Sequence, residues 1–159
     1  MTTLSQKKNM NASSEVSQTM PERLSWQEYS LNLAKVAAQR SEDPYVKVGA
    51  CVLRHDNSIG GIGYNGPPPG IDILWGDRDA RRKRVIHAEI NALRYVRPGE
   101  CRLIACTLLP CNDCIKTIAA FGIRTLVFQD VYDRDYSSLT LAEEFRIDLI
   151  QKLDENLLL

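Results

Sequence analysis

Four side chains in this sequence have the types and spacing for metal chemistry. Only two histidines occur in the 159 residues, and one of them, His87, stands two places before an acid, Glu89, within the otherwise apolar run RVIHAEINAL. Further along, Pro110-Cys111-Asn112-Asp113-Cys114 sets two cysteines three apart. Cysteines at that spacing share a helix face, and in a first turn the helix dipole and free backbone N–H groups favour the thiolates that bind zinc. With the imidazole of His87 they make three protein ligands and leave a fourth tetrahedral position to water, which is the arrangement of a catalytic site. Two residues along a helix is about 200° around its axis, so Glu89 does not share a face with His87. In a first turn, however, both reach past the helix end, and a carboxylate beside a metal that it does not ligate is placed to move protons. The competing arrangement is a closed structural knot with Cys101 or Cys106 as fourth ligand. Both lie in or beside a predicted strand, and Cys51 lies in another, where thiols are commonly buried small hydrophobes.

The elements that must position these groups follow from local signals. Residues 1 to 22 are rich in Ser, Thr, Asn and Gln and carry few large apolar residues, the composition of a mobile tail. A single domain is expected over 23–159. Ser25-Trp26-Gln27-Glu28 has the form of a capping box, and Trp26, Tyr29, Leu33, Val36 and Ala37 recur at helical spacing to about Gln39. Val46 to Leu53 and Ile59 to Tyr64 read as strands joined through Asp56-Asn57-Ser58, a hairpin. The prolines of NGPPPG end the second strand and open a loop to about Arg84; loops of roughly 20 residues are rare unless functional. A helix runs from His87 to Tyr95, a strand from Arg102 to Leu108, a helix from Cys111 to Phe121 closed by Gly122, and a strand from Arg124 to Phe128. Strand, helix, strand implies a parallel pair with a right-handed crossover. Thr140-Leu141-Ala142-Glu143 repeats the capping-box form, and Leu141, Phe145, Leu149 and Leu153 extend a last helix at i, i+4. Asp130 to Ser138 carries no strand signal. The sum is an α/β fold, a three-layer α/β/α domain around a mixed sheet.

Composition narrows the partners. Twenty basic residues balance twenty acidic ones, whereas a protein that grips long nucleic acid draws affinity from a basic surplus. A small ligand is favoured over polymeric nucleic acid. No apolar run approaches the ~20 residues of a membrane helix, no secretory signal is visible, and five cysteines suit free thiols or metal ligands in a reducing cytoplasm.

His87-Ala88-Glu89 and Pro110-Cys111-Asn112-Asp113-Cys114, preceded by Val48-Gly49-Ala50 and Gly63-Tyr64-Asn65-Gly66, resemble the deoxycytidylate (dCMP) deaminases of the zinc-dependent cytidine deaminase superfamily. The likeness covers about residues 24 to 129, and its zinc motifs are more specific for the superfamily than for the substrate. It implies hydrolytic deamination of dCMP to dUMP and ammonia, feeding thymidylate synthesis. A zinc-activated water attacks C4 of cytosine, and Glu89 shuttles the protons. It also implies that Asn65 helps hold the sugar and phosphate end and that the Ala88 backbone N–H reads the ring carbonyl. Arg40 and Lys47, around SEDPYVKVGA, are the first candidates for the phosphate. The loop run Arg78, Arg81, Arg82, Lys83 and Arg84 is a second source of cations, although such a run is commonly a solvated face. Residues 66 to 86 contain no cysteine or histidine, so the additional zinc of some relatives is not expected, and one zinc per chain is. Family members are commonly hexamers, some activated by dCTP and inhibited by dTTP, so a homo-oligomer is implied. Readings left open are a deaminase of cytidine, guanine or an adenosine in transfer RNA, and a silent zinc-containing nucleotide binder.

Overall fold

A computed structural model describes residues 22–154; the expected tail and the terminal leucines lie outside them, save its last residue, Glu22. The core is one five-stranded sheet of order β2-β1-β3-β4-β5, formed by β1 (Gly49–Arg54), β2 (Ile59–Tyr64), β3 (Cys101–Leu108), β4 (Thr125–Asp130) and β5 (Asp148–Gln151). β1 pairs antiparallel with both β2 and β3, while β3, β4 and β5 run parallel. The sheet is mixed, as expected.

Period-two alternation sends the strand side chains to two faces. Leu103 and Ala105 of β3, with Cys51, Leu53 and Val127, pack under Leu31 and Ala34 of helix α1 (Trp26–Ala38). Ile104 and Cys106, with Ala50, Val52 and Leu126, face the other way onto α3 (Ala88–Leu93), α4 (Asn112–Ala120) and α5 (Ser137–Glu144). These are the three expected layers. The Ser25 capping box is formed, its Oγ accepting from Glu28 N at 3.1 Å and Glu28 Oε2 accepting from Ser25 N at 3.0 Å. Two helices approach the sheet at glycines: a Cβ on Gly49 would lie 1.8 Å from the Ala34 carbonyl, and one on Gly63 only 2.4 Å from Ala92 N.

Two expectations are corrected. The stretch after Asn65 is not loop throughout, because Asp77 Oδ1 accepts from Asp79 N and Ala80 N and starts a short helix, α2 (Arg78–Arg84). Nor does a last helix run from Thr140 to Leu153. It starts at Ser137 and ends at Glu144, where Arg146 adopts φ 58°, Arg146 N donates to Glu143 O and Ile147 N to Ala142 O. That is a Schellman stop with arginine in the left-handed position that glycine ordinarily holds. The chain then returns as β5, so Leu149 belongs to the fifth strand.

Candidate metal centre and active site

His87 and Cys111 each occupy the residue just before a helix, with extended backbone (φ −67°, ψ 151° and φ −70°, ψ 170°). Both side chains therefore leave the helix ends sideways, toward each other. The start of α3 is fixed from three sides. Asn91 Nδ2 donates to Tyr64 O at 2.8 Å. Gly66 and Ile86 exchange two backbone hydrogen bonds, at 3.1 and 2.8 Å, which close the 66–86 segment one residue before His87. Gly63 lets the α3 backbone settle on β2. Cys111 and Cys114 are carried by α4, whose Ile115 and Ile118 are buried in the core.

The sulfurs of Cys111 and Cys114 lie 3.5 and 3.4 Å from His87 Nδ1, and all three donor atoms are within 4.8 Å of one another. Tetrahedral zinc with its usual Zn–S and Zn–N lengths requires N···S edges of about 3.6 Å, so the donor set fits that ion. Cys51, Cys101 and Cys106 take no part in the cluster, and burial pushes each of these thiols up. The closed knot with a fourth cysteine is not formed among the described residues. Cys111 is held far below a free thiol, at about 4, chiefly because it accepts from the Cys114 thiol and then from His87. Cys114 is pushed up by the same bond and by burial, and His87 is raised by its bond to Cys111.

Glu89 is 4% exposed, and its Oε2 lies 3.5 Å from the Cys114 sulfur. Burial raises its pKa. A cavity of about 600 Å³ opens above these residues, with Ala88, Leu109 and Pro110 in its walls. Asn65 also lines it, but the amide is already engaged: Oδ1 accepts from Val48 N at 2.8 Å, and Nδ2 donates to Val46 O at 2.9 Å and Asp43 Oδ2 at 3.4 Å. Arg40 and Lys47 do not reach the cavity wall, and the Lys47 ammonium donates to the Ser41 carbonyl. Arg78, Arg81 and Arg82 do line it, as do Tyr132, Asp135 and Ser138 from the segment after β4. Sequence signals single out none of the last three; their placement depends on how the chain turns after β4.

A mixed sheet with one histidine and two cysteines at facing helix starts, beside a buried glutamate, defines the zinc-dependent deaminase class. The family model for the cytidine and deoxycytidylate deaminase zinc-binding region matches residues 24–130, and the chain belongs to that family. It is 38% identical to human deoxycytidylate deaminase over 130 residues, covering 75% of this chain and 72% of that one. To the deoxycytidylate deaminase of Mycobacterium phage D29 it is 38% identical over 125 residues, 67% of this chain and 95% of that one. The dCMP deaminase of cyanophage S-TIM5, solved in complex with dCMP and dUMP, superposes with a TM-score of 0.70 at 27% identity, covering 79% of this chain and 96% of that one. Among the described residues no helix is long and apolar enough to cross a membrane.

Proposed function

We propose that this protein deaminates dCMP hydrolytically to dUMP and ammonia, the reaction that supplies thymidylate synthesis. The observation that carries this reading is the cluster of His87, Cys111 and Cys114 with buried Glu89 beside it, at a cavity lined by His87, Glu89 and Cys111, in a chain 38% identical to human deoxycytidylate deaminase. His87 Nδ1 and the two sulfurs would hold one zinc. Bound there, the ion would supply Lewis acidity and lower a water's pKa to about 7. Glu89 takes one proton from the attacking water and delivers it to ring N3. It then takes the second from the hydroxyl now on C4 and passes it to the amine, which leaves as ammonia as the C4–N bond breaks and the C4 carbonyl forms. Burial of Glu89 shields the carboxyl from bulk water while it carries a proton between transfers. The Ala88 N–H, in a first turn where no helical carbonyl reaches it, reads the ring carbonyl. Asn65 serves the sugar and phosphate end by tying down the Asp43–Val48 wall.

The domain is 23–159, acts in the cytoplasm with its cysteines reduced, and assembles as a homo-oligomer with dCTP and dTTP as effectors; the family resemblance supports the last two points. The test is ammonia release from dCMP, deoxycytidine, CMP and an adenosine-bearing RNA hairpin, with and without dCTP. dCMP is the expected preferred substrate, and a preference for deoxycytidine would overturn the assignment.

A further inference from the structure

The basic run on α2 divides by helical geometry. Arg78, Arg81 and Arg82 stand at i, i+3 and i+4, one face, and all three line the catalytic cavity. Lys83 and Arg84 turn to a separate groove, which they share with Asp72, Asp77 and Asp79. The cavity-facing arginines form no salt bridge among the described residues. Acids that line the same cavity are otherwise engaged. Asp43 accepts from Tyr45 N, Val46 N and Asn65 Nδ2, Asp113 pairs with Lys116 at 2.9 Å, and Asp135 accepts from Ser137 N.

Arg81 differs from its neighbours in being held. Its guanidinium carbon lies 4.0 Å from the centroid of the Tyr45 ring, and Tyr45 is anchored through its own N–H to buried Asp43 at 2.8 Å. Stacking occupies the guanidinium face and leaves its edge, a planar fork of donors, for an anion. The Arg81 Nε is buried without a hydrogen-bond partner, so the donors left for an anion are the terminal guanidinium nitrogens.

We infer that Arg81, flanked by Arg78 and Arg82, reads the 5′-phosphate of the substrate. This rests on the dCMP reading above. The experiment compares kcat/KM on dCMP and on deoxycytidine, and the Kd for dUMP, in wild type, Arg81→Gln, Arg81→Lys, the Arg78→Gln/Arg82→Gln pair and Lys83→Gln. Arg81→Gln is expected to lower kcat/KM on dCMP roughly 100-fold through KM, and to weaken dUMP in parallel. Deoxycytidine turnover should stay at the wild-type value. Arg81→Lys should recover part of the loss, the double variant should lose about tenfold, and Lys83→Gln should change neither substrate. α2 has no buried residue, so these variants leave the sheet and the metal corner intact, and deoxycytidine turnover reads whether they do. An unchanged dCMP-to-deoxycytidine ratio in Arg81→Gln, or an equal loss on both substrates, overturns the inference. If wild type itself prefers deoxycytidine, the dCMP reading falls and takes this inference with it; wild-type preference for dCMP with an unaltered ratio in Arg81→Gln sinks this inference alone.

Discussion

The two walls of the cavity are built on opposite principles. At the metal corner, α3 buries Ala88, Glu89, Ala92 and Leu93, its backbone touches β2 at Gly63, and Asn91 and the Gly66–Ile86 bridge fix its first turn. Across from it, α2 buries none of its seven residues and is held by one Asp77 cap and the stack of Arg81 on Tyr45. Bond-making groups must sit within fractions of an ångström of their places, so they are seated on elements that packing over-determines. Long charged side chains can meet a flexible anion from an exposed helix, because their reach forgives small displacements.

Removing the metal gives the largest expected effect: chelation should abolish ammonia release, added zinc should restore it, and Cys114→Ser should match the chelated enzyme in turnover and in zinc content by elemental analysis. Next, Glu89→Ala should lower kcat about 10³-fold with zinc retained; activity near wild type would remove the glutamate from the mechanism. Gly63→Ala drives a Cβ against the Ala92 and Ala88 backbone and should cost about 3 kcal/mol in denaturant unfolding. A neutral result would show that α3 is less tightly seated than its partner surfaces imply. Asn65→Ala strands the buried Val48 N–H and Val46 carbonyl and should cost about 2 kcal/mol by the same measurement. Smallest of all, Lys83→Ala on the outer face of α2 should stay within about 0.5 kcal/mol of wild type, and a larger loss would erase the contrast between the walls.

Local signals succeeded where one physical rule acted alone. The Ser25–Glu28 box, the hairpin at Asn57 and the parallel pair around α4 all formed. They failed where two rules coincided. Leu141, Phe145 and Leu149 satisfy helical spacing, yet Arg146 takes a left-handed turn and Leu149 pairs with Leu126 in the sheet; no glycine announces the stop, and the open edge of β4 outweighs the helical periodicity. In the basic run, composition could not separate Arg81 from Lys83, since only the direction of α2 sends one to the cavity and the other to an acidic groove.

What the residues determined unaided is the chemistry: one imidazole, two thiols at i, i+3 and an acid two places from the histidine allow few uses, because donor type and helical pitch are local properties. Only the folded chain decided which amide is free and which is engaged, as with Asn65, and which cations face the reacting end, as with Arg81 against Arg40 and Lys47. Those outcomes depend on contacts between segments distant in sequence, and no local pattern encodes where such segments meet.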